Sequence, residues 1–326
     1  MTGRGTAVQG ALAATALGVA FLLSRAGDSA SLAEAIVIDA RSSDLESLTY
    51  FDGKRHYRVE PDPAAGPGEL RVHVSGGDRR VPVGMAPERV PDRTLRGGRL
   101  AKDLWAFFSP LRSMRALGKV SDERRQALGL TETKNRLTVK VRGVERKFRL
   151  APPPPGAVEP YLLSEDDGRA YLVQRVVMNT FSERALGPAE VHDFPMTAYD
   201  RIALTPVGKP AVTLKSLRAE GTETHLSPEA ELSVNLASLE DWHRALFTIP
   251  IEDALGPEEL PASGPVNVRY RLEYWSGRDR MGWMDLAVAS FRGGPRLYFR
   301  SERSLGWMVG PQGSAALLDQ ADKLFR

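Results

Sequence analysis

Between residues 137 and 150 the chain alternates almost without a break. Leu137, Val139 and Val141 precede Gly143, Phe148 and Leu150 follow it, and Lys140, Arg142, Lys147 and Arg149 occupy the opposite phase. A period of two marks a strand half-buried on one face, and the glycine between the runs marks a reversal. A chain held to that pattern forms an antiparallel pair with one apolar and one basic face. The same alternation returns at Leu70, Val72 and Val74, at Val266, Val268, Tyr270, Leu272 and Tyr274, and on either side of Asp52-Gly53. Asp-Gly between alternating runs is the strongest short hairpin signal.

Helical spacing interrupts the strands at two places. Leu100, Leu104, Phe107, Phe108, Leu111 and Met114 recur at three- and four-residue steps, as do Leu236, Leu239, Trp242, Leu246 and Ile249. Pro110 and Pro250 break the two patterns alike, and each run leads into Ala-Leu-Gly, at residues 116–118 and 254–256. After each, an alternating strand follows, so that 266–274 matches 137–150 and 295–299 parallels 169–173. The fold class expected is α+β, a tandem repeat of helix plus antiparallel β-hairpins preceded by one N-terminal transmembrane helix. The expected domains are 1–30, a membrane anchor or signal segment, 31–190, the first repeat, and 191–326, the second.

The anchor is read from residues 5–24, which carry no charge and are mostly apolar. About 20 residues of helix reach roughly 30 Å, one bilayer core. A cleaved signal peptide ending near Ser24-Arg25-Ala26 or Ala33-Glu34-Ala35 and a buried helix are the alternatives. Arg4 ahead of the run favours the bulk of the protein outside, which predicts a single-pass inner-membrane, extracytoplasmic chain. Gly10, Ala14 and Gly18 fall every four residues, a face of small side chains on which another transmembrane helix could pack.

Charge is unevenly placed. Residues 1–149 hold 26 Lys and Arg against 17 Asp and Glu, and residues 150–326 hold 18 against 24. The densest positive stretch is 112–149, so Lys140, Arg142, Lys147 and Arg149 are the candidate interaction residues of the folded part, read as a solvated face or as one that meets an acidic protein or lipid surface, the chain's own acidic half included, and not nucleic acid. The chain has no cysteine, which excludes disulfide frameworks, thiolate metal sites and cysteine nucleophiles.

No nucleophile elbow, phosphate loop, dinucleotide turn or His-Glu-x-x-His helix occurs. His192-Asp193, His225 and the pair Asp241 and His243 come nearest to an acid/base or metal cluster. Residues two apart on a helix point in different directions, however, so Asp241 and His243 would not chelate together. The expectation is a non-catalytic chain with no catalytic, metal or cofactor residues and no cofactor.

The N-terminal run, the helix entering Ala-Leu-Gly, the Ala-Leu-Gly-Leu at 127–130, the strand pair at 137–150 and Gly-Arg-Ala-Tyr-Leu-Val at 168–173 together resemble the family catalogued as domain of unknown function 4340, best over residues 95–205. The resemblance implies tandem copies and a membrane-anchored accessory or scaffold protein beside the auxiliary subunits of a gliding-type ABC transporter. Its partners would then be the membrane and an integral-membrane transporter or auxiliary subunit. The alternative is an extracytoplasmic binding module for glycan or anionic polymer, using Trp275, Trp283, Trp307 and neighbouring arginines.

Overall fold

The computed structural model describes residues 34–79, 88–89, 91–153, 156–218, 224–229, 236–261 and 263–325. They form two compact units, one of the described residues before Ser47 with Ala106–Asn179, the other of Ser47–Trp105 with Thr180–Arg326.

In the first unit the alternating strands Arg136–Val141 and Val144–Ala151 begin a four-stranded meander continued by Tyr161–Ser164 and Arg169–Leu172. The strand before it in sequence, Arg115–Lys119, closes it by pairing with the last. Its first hairpin turns on Arg142 and Gly143, whose φ values of 49° and 79° are the two positive angles a two-residue type I′ turn needs. Leu137, Val139, Phe148 and Leu150 are buried on one face. Leu163, opposite Arg149 in the ladder, joins a small cluster on the other face with Leu128, Leu130, Ala151 and Ala170. Leu128 and Leu130 leave the helix Asp122–Ala127, whose Ser121 hydroxyl caps the Arg124 amide at 3.3 Å.

The second unit contributes strands to two sheets, four to one and eight to the other. Leu45–Phe51, His56–Pro61, Leu70–Ser75 and Arg93–Arg96 pair in chain order. The Asp52 carboxylate organises the first turn by accepting the Lys54 and Arg55 amides at 2.8 and 2.7 Å. The larger sheet runs Thr224–Pro228, Val212–Arg218, Arg201–Pro206, Tyr270–Ser276, Asp279–Phe291, Gly294–Ser301, Met308–Val309, Asp253–Ala254. Its inner face supplies Ile202, Leu204, Leu214, Leu272, Tyr274, Met284, Leu286, Leu297 and Phe299 to a core completed by the helices Leu236–Phe247 and Ala316–Leu324. Full burial of such side chains contributes roughly 1.5–3 kcal/mol each. Trp242 locks the two helices by donating its indole N–H to the Leu317 carbonyl at 2.8 Å. On the terminal strand Thr224–Pro228, the Leu226 amide donates to the Glu240 carboxylate of the helix at 3.1 Å.

The expected α+β class is corrected. Antiparallel sheet dominates, and the longest helix described, Leu236–Phe247, has 12 residues. The helix expected over 100–114 stops at Phe107, because Pro110 cannot continue it, and Leu111–Ser113 is a strand paired with Ala35–Ile38. Ala116-Leu117-Gly118 lies within the closing strand.

The single-pass inner-membrane placement is corrected as well. Among the described residues no helix is long and apolar enough to cross a membrane. Residues 5–24, with Gly10, Ala14 and Gly18, lie outside the described residues.

Candidate functional site

The strands that bury Tyr270, Leu272, Tyr274, Met284, Leu286 and Phe299 must turn their alternate residues the other way. Among those residues arginine, tryptophan and carboxylate recur. Arg201 sits opposite Trp275, Glu273 opposite Trp283, Arg271 opposite Asp285, and Asp285 opposite Arg300. Four neighbouring strands thereby present a grid of arginine, tryptophan and carboxylate.

Within the grid the guanidinium groups lie over indole rings. Arg201 is 5.3 Å from the Trp275 centroid, Arg271 5.2 Å and Arg300 6.0 Å from that of Trp283, and Arg300 4.9 Å from that of Trp307. All are within cation–π range. Asp285, its side chain 3% exposed, holds Arg300 at 3.0 Å and Arg271 at 3.6 Å. Glu273 holds Arg271 at 3.5 Å and Arg280 at 3.4 Å. Each carboxylate is thus shared between two arginines, and the arginines, 43–49% exposed at Arg271, Arg280 and Arg300, outnumber the acids. A guanidinium has five N–H donors, so stacking and pairing leave several directed at solvent. Trp307 borders a small cluster of Leu255, Ala287, Phe291, Tyr298 and Val309 on the same sheet.

The basic hairpin face expected in the first unit is arranged differently. Lys140 meets Glu46 at 2.7 Å, Arg142 meets Asp44 at 2.6 Å, Lys147 lies 4.0 Å from Glu145, and Arg149 meets Glu165 at 2.7 Å. The hydrogen bond from Arg142 holds the Asp44 carboxyl below its ordinary pKa, and that from Lys140 does the same for Glu46. Each of the four cations already has an anionic neighbour.

The histidines separate too. Asp241 is exposed, while His243 is buried beside Tyr199, 3.4 Å from its hydroxyl. His192, whose ring is fully buried, places Nδ1 2.9 Å from Glu302, which also accepts the Trp283 amide at 2.9 Å. Its ring packs 4.7–4.9 Å from Phe194, Phe247 and Tyr274. Among the described residues no group of three His, Asp or Glu side chains is placed to hold a metal.

One arrangement has no signal in the sequence. Arg93, 3% exposed, is bound by Glu183, Asp253 and Glu259. Burial alone would disfavour its charge, yet the hydrogen bond with Glu259 and the charges of Asp253 and Glu183 raise its pKa above the usual range. The sequence does offer Trp275, Trp283 and Trp307 with neighbouring arginines as a binding surface, but not the register that sets them side by side.

The chain matches no family model, no curated protein and no solved structure.

Proposed function

We propose that this chain is a non-catalytic recognition module whose contact surface is the outward face of the larger sheet of the second unit. The observation that carries the reading is the register that aligns Arg201, Trp275, Arg271, Trp283, Asp285 and Arg300 across four strands. Solvent-facing arginines and tryptophans are the residue types enriched at binding hot spots, and a flat face several strands wide suits an extended polymer more than an enclosed small molecule.

Tryptophan fluorescence tests the reading directly. Trp275, Trp283 and Trp307 lie on the face, whereas Trp105 and Trp242 are buried. A ligand drawn from soluble neutral, anionic and nucleic-acid polymers should alter the emission of the parent protein, and the change should shrink in Trp283→Phe, which leaves Trp275 and Trp307 to report. Emission unmoved by every polymer of the panel would overturn the reading.

A further inference from the structure

We infer that the ligand of this face is a linear polysaccharide bearing carboxylate groups, an inference that rests on the recognition reading above. The tryptophans by themselves would suggest stacking of neutral sugar rings or nucleic-acid bases. Their rings are occupied, however: Arg201 lies over Trp275, Arg271 and Arg300 over Trp283, and Arg300 again over Trp307. Base stacking needs open aromatic faces, so the indoles here act as supports that hold guanidinium planes in place.

What faces outward is therefore donor-rich and cationic. The face already shows which anion it fits. The carboxylate of Asp285 bridges Arg271 and Arg300, and that of Glu273 bridges Arg271 and Arg280. Carboxylate and guanidinium match as planar partners. Arg201, on the next strand over, is held only by Trp275 among these contacts and extends the row. Adjacent strands lie about 4.8 Å apart, so a chain laid across them meets a guanidinium at short, repeated intervals. A linear polyuronate presents carboxylates in that manner without offering bases to stack.

Binding of the full chain to polygalacturonate would be measured by fluorescence or calorimetry at low and moderate salt, beside dextran, dextran sulfate and poly(dT). The expected result is preferential binding of polygalacturonate that weakens with salt. Arg201→Gln and Arg280→Gln should each weaken it about tenfold, the loss of one charge-assisted hydrogen bond. Because removing Arg300 strands a buried Asp285, Arg300→Lys is the variant for that position. It keeps the charge and loses the planar fork, and should weaken binding while leaving the unfolding midpoint near the parent. Tighter binding of dextran, dextran sulfate or poly(dT) than of polygalacturonate would overturn the carboxylate assignment while leaving recognition by this face standing. Binding of none of the four would overturn both.

Discussion

Arg93 and Glu259 meet fork to fork, Nε to one carboxylate oxygen and Nη2 to the other, both at 2.7 Å. The remaining nitrogen, Nη1, reaches Asp253 at 2.8 Å and also contacts Glu183. One buried cation thus gathers three carboxylates that are 14–21% exposed. Arg93→Ala leaves them facing one another, and breaking a buried pair in this way costs roughly 3–5 kcal/mol. Urea unfolding should show that loss. Arg93→Lys, which keeps the charge but cannot fork, should fall between the two. An alanine variant as stable as the parent would mean the carboxylates rehydrate freely.

Stability should decline in weak acid through His243. Burial, with smaller contributions from the charges of His192 and Arg244, pushes its pKa from an ordinary 6.5 down to about 3. Between those values the unfolded chain binds a proton that the folded chain refuses. Stability is full above pH 6.5 and falls as the pH drops toward 3, by on the order of 1 kcal/mol per pH unit from this group. His243→Gln should flatten that part of a stability-against-pH curve measured by denaturant titration. An unchanged slope would assign the acid sensitivity to other groups.

Gly282 has a steric role. A Cβ there would lie 2.5 Å from the Phe194 ring and 2.6 Å from a Glu302 carboxylate oxygen. Gly282→Ala should therefore disturb the Glu302 contacts with His192 and the Trp283 amide and cost about 1–3 kcal/mol. Gly294→Ala is the control, since nothing lies within 4 Å of the added carbon. Thermal unfolding of the pair checks this, and equal midpoints would mean that Phe194 and Glu302 simply move aside.

The hairpin pairs of the first unit should be visible by titration. Arg142→Ala removes the hydrogen bond that holds the Asp44 carboxyl low, so its pKa should rise toward the ordinary carboxylate range in a side-chain carbon NMR titration. No movement would place the Arg142 side chain in solvent.

Local signals in the sequence were legible where neighbours decide the outcome. Alternation located the strands around Gly143, and Asp52-Gly53 located its turn. The helix from Leu100 ends sooner than its spacing predicts, because Leu111 keeps helical spacing past Pro110, where strand pairing with Ala35–Ile38 prevails. Ala116-Leu117-Gly118 has no alternation, and only its ladder with Arg169–Leu172 makes it a strand. The site divides in the same way. The outward phase of Arg271, Glu273 and Trp275 can be read from one strand. The stacking of Arg300 on Trp283 depends on register between strands, and the Arg93 cluster unites residues 90 to 166 positions apart, which no local pattern records.

The contact between Glu240 and the Leu226 amide also closes off a donor on the border of the sheet. A terminal strand offers unpaired N–H groups on which a foreign strand can grow the sheet. Glu240 takes one such donor and sets a negative charge in the path of an incoming backbone. The helix that packs on the core thus also satisfies an outward backbone donor of the terminal strand, the kind of group through which sheets otherwise pair edge to edge.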